Sequence, residues 1–446
     1  MEEKILEEVD RLSDEMVEIC QSLVRVNTVN PYSGDPNPGN ELNGQVILEP
    51  ILENMGAETR MFETPPDIYN RMGVIGPKGR KFEGRSNLVG EFTFPPLKKG
   101  SNPLIPPLKR GLGGFEGSGG KRIIINGHMD TVAVAGMEIE PFSGEVRDGR
   151  IWGRGSSDCK GNLAVGLTAI KALLPVADDL CGSIVYESVM DEECSGSGAG
   201  TLTCCHEGYT GDMAIVVDGG GLVITHGCGG CLTADVTVFG QGGHAARGGV
   251  SAIDKGLIVK NAIDDFKRER ESRYPDSRVN LGIFNSGVHS AMVPSSAYLS
   301  LNIVYELEEA RSAEAEELKF GGIQLREVFD RAIRDCEEKD QWLREHRCQI
   351  EWVKDLLPFE TSKDDPLVQG LRSTFVDTLG IEPEVSTMSA WLDGAWIYHF
   401  ANAPTVSFGA GKEETAHADV EYIVIEDMKN CAKVLARFLY RQLRRQ

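Results

Sequence analysis

Seven side chains with the chemistry of metal ligands and proton carriers are spread along the sequence. His128 and Asp130 stand in GHMD, Asp158 in WGRGSSDCKGN, Glu192 and Glu193 in MDEECSGSG, Asp218 at the end of AIVVD, and His417 in GKEETAHADVEY. Any one of them alone reads as an ordinary polar loop end. Together they meet a larger demand, because two divalent ions ~3.5–4 Å apart need a bridging carboxylate and about two further ligands each. Two histidines and three carboxylates supply that count, and a spare carboxylate beside them would serve as a base. A His followed two residues later by an Asp also reads as a ligand with the partner that orients it.

The elements around these residues say how they would be held. Residues 123–126, 183–189 and 214–218 read as buried strands. Leu163, Leu167, Ile170 and Leu174 place a helix over 161–174 between the first two. Such alternation predicts an α/β domain with a mainly parallel central sheet and helices on both faces. In these sheets functional groups collect at the carboxyl ends of strands, where His128, the 191–193 acids and Asp218 all fall. The N-terminus begins an amphipathic helix, with Ile5, Val9, Leu12 and Met16 on one face.

From about residue 227 the order becomes strand, helix, strand, strand, helix, strand: 232–240, 251–268, 279–285, 297–305, 321–344 and 348–353. That order fits an inserted α+β two-layer unit. The chain then returns through a strand in APTVSFGAG (403–411) and a last helix carrying Met428, Cys431, Leu435, Phe438 and Leu439. The expected organisation is a catalytic domain in two segments, 1–226 and 358–446, interrupted by a lid at 227–357. Residues 94–121 are rich in Pro, Gly and Lys/Arg and read as a flexible surface insertion. Its GSGGKR is no phosphate loop, since Phe115 and Arg122 stand where that spacing needs Gly and Ser or Thr.

Bulk properties narrow the function. A chain of 446 residues is expected to divide into two domains. Lys+Arg is 46 and Asp+Glu is 68, a net charge of −22, which speaks against nucleic acid and anionic membrane surfaces as partners. MEEKILEEVDRL has no basic n-region and no apolar h-region, so it does not read as a signal peptide. No run approaches the ~18 apolar residues of a membrane span. The 11 Cys are scattered without framework spacing. These features read as a reduced, cytoplasmic protein.

The motifs GHMDTV, GRGSSDCKGN, DEE, the Asp at 218, GQGGHAARGG and the late His417 resemble the co-catalytic zinc metallohydrolase superfamily of aminoacylase, acetylornithine deacetylase, succinyl-diaminopimelate desuccinylase and glutamate carboxypeptidase. The resemblance spans nearly the whole chain except 94–121. It implies a zinc-peptidase-like catalytic domain with an inserted lid, which in many members is the dimerisation surface, and hence a homodimer. It implies that Asp158 bridges two divalent ions, His128 and Asp218 hold one, and Glu193 and His417 hold the other. Asp130 would accept a hydrogen bond from His128 and fix its tautomer. Glu192 would be the general base, taking a proton from water and returning it to the leaving nitrogen. His244, in GQGGHAARGG, would reach the other subunit's site and stabilise the oxyanion. Histidine with carboxylate suits Zn first, with Co or Mn as alternatives. Arg247 could assist an anionic substrate group.

The sequence also departs from the amino-acid-processing members. Where they carry Asn in an N-x-V-P phrase, this chain has Ala291; their D-x-R becomes Asn302 to Val304; their T-D-A-R becomes Leu392 and Asp393 in WLDGAW. The missing groups commonly grip an α-carboxylate, which needs charge-assisted donors. Asp393 and Trp391 are candidate substrate contacts, with Trp391 and Trp396 either flat walls for an aromatic amide or simple packing. The expected activity is hydrolysis of an amide C–N bond in a small N-acyl compound. A metallo-exopeptidase is the alternative within the class, and a non-catalytic binding member the alternative outside it. Cys228-Gly-Gly-Cys231 lacks a second CxxC for a zinc ribbon and reads as structural.

Overall fold

The computed structural model describes residues 1–94, 120–193, 197–275, 277–310, 321–412 and 414–445. Most of the expected insertion at 94–121 therefore lies outside the described residues.

Strands 182–189, 121–128, 213–216 and 405–407 lie side by side and parallel at the centre of a nine-stranded sheet. Strands 86–94 and 58–63 extend one edge antiparallel, and 224–228, 359–360 and 385–388 complete the other. The central strands are β-branched and apolar on both faces because both faces are covered. Ile123 and Ile125 join one hydrophobic cluster with Leu163, Leu167, Leu435 and Phe438, while Ile124 and Val185 join another on the opposite side with Val89 and Phe359.

Helix Gly161–Lys171 buries ten of its eleven residues, as a helix enclosed on all sides must. It stops short of the expected 174 because Pro175 follows, lacking the N–H a continuing helix needs; a 3-10 turn occupies Leu174–Asp179 instead. The N-terminal stripe of Ile5, Val9, Leu12 and Met16 is buried against the same core.

The segment after residue 229 forms a separate four-stranded antiparallel sheet in the order 278–286, 296–305, 230–239, 349–356. Helices Ala252–Arg273 and Ile323–Lys339 pack with it around a core of its own that includes Val236, Val259, Phe266, Leu301 and Phe329. The helix read over 321–344 is in fact two. Asp340 breaks it and caps the second, Gln341–Glu345, by accepting the Leu343 N–H at 2.9 Å. Together these features form an α/β fold with a central mainly parallel sheet and an inserted two-layer unit.

Candidate metal centre

His128 is the last residue of strand 121–128, and Glu192 and Glu193 follow directly after the parallel strand 182–189. Strand 213–216, on the other side of His128's strand, delivers Asp218. Strand 405–407 leads into the loop carrying His417. Asp158 comes from the turn Ser156–Lys160 that opens helix 161–171, and its peptide bond to Cys159 is cis. Four strand ends and one helix entrance thus converge on one point at the carboxyl edge of the sheet.

Asp158 stands between the two histidines. Its Oδ1 lies 2.9 Å from His128 Nε2 and its Oδ2 lies 3.2 Å from His417 Nε2. His417 Nε2 is also 3.0 Å from Glu193 Oε2, and His128 Nε2 is 3.8 Å from Asp218 Oδ2. His128, Asp158 and Glu193 each offer a ligand atom within 4.8 Å of the others, and so do His128, Cys159 and Asp218. The thiol of Cys159, adjoining the cluster, was not expected from the sequence. Exposure rises across the site: the His128 side chain is 1% exposed, Asp158 and Asp218 20%, His417 54%. A small molecule would therefore arrive from the His417 side.

The charges are those of a cation site. Burial would raise Asp158, but hydrogen bonds from His128 and His417 overturn that and hold it below the usual carboxylate range. Burial pushes Glu193 up to about 7 and Asp218 up to about 6, and the Asp158 charge pushes both the same way. Burial also lifts Glu192 well above its ordinary range, against the attraction of His128. His417 is raised to about 11 by its bonds to Asp158 and then Glu193. Two imidazoles converging on a shared carboxylate, with two more carboxylates in reach, is a donor set that fits divalent metal.

Asp130 differs in one respect from expectation. His128 Nδ1 donates to the backbone carbonyl of Asp130 at 3.0 Å, with the nearer carboxylate oxygen at 3.7 Å. That carboxylate instead accepts the N–H groups of Glu192 (3.2 Å) and Glu193 (3.1 Å) and the Asn30 amide (2.7 Å). The tautomer is set by main chain, and the side chain holds the acidic turn in place.

Sequence reasoning placed Asp191 among the acids at the strand end but missed its partners and Asn162 behind the cluster. Asp191, fully buried with φ 64°, accepts from Arg80 (2.7 Å), Arg85 (3.0 Å) and Ser197 (2.7 Å), and Arg85 is also paired with buried Glu41. Asn162 donates to Ser157 O (3.3 Å) and Gly219 O (3.1 Å) and accepts the Ala410 N–H (2.7 Å), so it joins three of the ligand-bearing loops. The DCKGN phrase was the only available signal for Asn162.

The other candidates are placed elsewhere. His244 and Arg247 are exposed on the turn after strand 230–239. His244 Nδ1 accepts the Ala246 N–H at 3.2 Å, and no hydrogen bond or ion pair among the described residues joins either to the cluster. Asp393 is 2% exposed, accepts the Thr201 hydroxyl at 2.7 Å and packs so closely on Gly198 (φ 53°) that a Cβ there would overlap it. It is interior, not an open substrate contact, because Thr201 and Gly198 enclose it. Trp396 is fully buried and Trp391, half-buried, donates to Leu357 O at 2.9 Å and packs edge-on against it. The Trp396 ring therefore acts as packing, which removes it as a substrate wall, while Trp391 stays partly accessible. Asn302 is likewise engaged within its sheet, accepting from Thr233 and Cys231.

The chain is similar to known proteins over nearly its whole length. The chain is 28% identical over 469 residues to N-formyl-4-amino-5-aminomethyl-2-methylpyrimidine deformylase of Halalkalibacterium halodurans, covering 98% of this chain and 96% of the relative. It is 25% identical over 347 residues to succinyl-diaminopimelate desuccinylase of Pseudoalteromonas atlantica, covering 74% and 85%. A tripeptidase structure from Staphylococcus aureus shares the fold with a TM-score of 0.65 at 18% identity, over 96% and 97% of the two chains. The profile of peptidase family M20/M25/M40 matches residues 124–441, a span that includes every proposed metal ligand, and the chain belongs to that family.

Proposed function

We propose that this family M20 hydrolase is a dinuclear-metal amidohydrolase that removes a small acyl group from an amine lacking an α-carboxylate, a formyl-aminomethyl heteroaromatic being the favoured class. The observation that carries the choice is the 28% identity, over 98% of this chain, to a relative named as an N-formyl aminomethylpyrimidine deformylase, whose named reaction is an amide hydrolysis. Ala291, Asn302 and Leu392, standing where groups that commonly grip an α-carboxylate would be, support an amine without one.

In this reading Asp158 would be shared between two divalent ions, His128 and Asp218 would hold one, and Glu193 and His417 the other, with Zn first and Co or Mn as alternatives. The ions, when bound, supply Lewis acidity toward the amide oxygen and acidify water. Glu192 takes the water proton and delivers it to the leaving nitrogen, a role suited to a carboxyl held above its ordinary range. Asp130, through the 192 and 193 N–H groups, aims that carboxyl. His244 of a partner subunit completes the site, with the inserted unit as the dimer surface and lid.

The test pairs substrate with variant. Metal-loaded enzyme is expected to prefer an N-formyl aminomethylpyrimidine over N-acetyl amino acids and dipeptides by at least about tenfold, and chelation to abolish turnover. Glu192→Gln is expected to retain its metal while losing roughly 10²–10⁴-fold in kcat. A dipeptide as best substrate moves the reading to an exopeptidase, and near-full activity of Glu192→Gln overturns the mechanism.

A further inference from the structure

Outside the ligand set lies a buried ion pair that none of the chemistry above employs. The side chains of Arg154 and Glu421 are 4% and 1% exposed and meet at 2.6 Å. Glu421 Oε1 accepts the N–H groups of Ser157 (2.9 Å) and Asp158 (3.2 Å), while Oε2 takes Arg154. Arg154 donates onward to Ala133 O and Ala418 O, both at 3.2 Å. The Glu421 carbonyl also accepts the Gly153 N–H at 3.1 Å. Ala418 is the residue after His417, and Glu421 is four residues after it. One carboxylate and one guanidinium therefore span the turn that presents Asp158 and the loop that presents His417, 259 residues apart in the chain.

Folding alone gives a weak reason for this pair. Two charges taken out of water cost several kcal/mol of desolvation, and an apolar pair of similar volume often serves stability as well or better. What an apolar pair cannot do is take up two consecutive backbone N–H groups and so fix the direction in which Asp158 leaves the main chain. His417 itself sits at φ 61°, a conformation L residues seldom adopt, and needs its loop held from outside.

We propose that Glu421, held by Arg154, is a positioning residue that sets the Asp158–His417 spacing and thereby the affinity for metal of the half-site those two share with Glu193. This rests on the dinuclear-metal reading. Among the described residues the other half, His128 with Asp218, has no hydrogen bond or ion pair with Glu421 or Arg154 and is reached through Asp158 and through the Ser157–Asn162–Gly219 bonds, so the two halves should respond unequally.

The experiment is Zn²⁺ titration of metal-stripped full-length protein by calorimetry, wild type against Glu421→Gln, with thermal melting of the metal-free forms alongside. The expected result is one Zn bound nearly as in wild type and one weakened about 10–100-fold, the usual cost of losing a group that orients a ligand. At saturating Zn the variant should recover kcat with KM unchanged. If both ions bind as in wild type and only the melting temperature falls, the pair is structural and the proposal is overturned. Should Glu421→Gln not fold, Arg154→Lys is read by the same two criteria, since it keeps the buried cation but loses the fork reaching Ala133 and Ala418. A wild-type chain that takes up no Zn removes the dinuclear reading and this proposal with it, which separates that failure from the clamp's own.

Discussion

At the scale of single residues, the centre's chemistry is a competition between protons and metal. Without metal, His417 is raised to about 11 by Asp158 and Glu193. Burial opposes a charge on His128, but Cys159, Asp158 and Asp218 outweigh it and raise that ring too. His417 is thus protonated at neutral pH and must lose its proton to ligate, and the shift on His128 runs in the same direction. Metal uptake at pH 7 is expected to release protons, that of His417 among them. Affinity should fall with falling pH, most steeply below about pH 7, where Glu193 and then Asp218 also protonate. Calorimetry in buffers of different ionisation enthalpy checks this, and heats independent of buffer would contradict it. The ligand candidates were legible in the sequence because His and acidic residues beside Gly, just past apolar runs, are few and distinctive. Asn30, Arg80 and Arg85 were not, because an Asn or Arg carries no local mark of a partner about 100 residues away.

At the scale of elements, the site depends on how loops from successive strands are joined. Asn162, fully buried at the start of helix 161–171, bonds to the loops of Asp158, Asp218 and residue 410 at once. Asn162→Ala would leave one N–H and two carbonyls buried without that partner. A loss of at least about 2 kcal/mol is expected in urea unfolding of the metal-stripped protein. Gly409→Ala should act alike, because a Cβ there would crowd Asn162 Nδ2 at 2.8 Å and Val217 O at 2.9 Å. A loss under about 0.5 kcal/mol in both, the range of ordinary surface changes, would show that the loops hold without this junction. Element type and order were readable because apolar periodicity records burial directly, as in 182–189 and in the stripe Ile5, Val9, Leu12, Met16. Ends were less so. Asp340 divides a helix whose apolar pattern runs on through it, since a cap competes with periodicity only once the chain has turned.

At the scale of the whole molecule, the inserted unit carries the features that chemistry at the metal centre leaves unused. His244 is exposed in a short ribbon with Met292, and Ile253, Leu257, Ile283, Val288 and Met292 are 40–89% exposed on the same unit. Exposed apolar side chains are what an interface would use, and a second copy covering them is the arrangement proposed above. The decisive test of His244 is then complementation. His244→Ala and Glu192→Gln are each expected to be nearly inactive as pure proteins. In a dimer formed from one chain of each, the Glu192→Gln chain lends its intact His244 to the partner's intact Glu192, so one complete site appears. The second site lacks both groups. Random mixing makes half the dimers hybrid, and each has one working site of two, so about one quarter of wild-type activity should return. If His244 serves its own subunit, no combination of the two chains contains a complete site and nothing returns. Co-expression followed by activity measurement at fixed total protein distinguishes the two. The recovered fraction should also vanish on dilution below the dimer dissociation constant, since a site built from two chains cannot outlast their association.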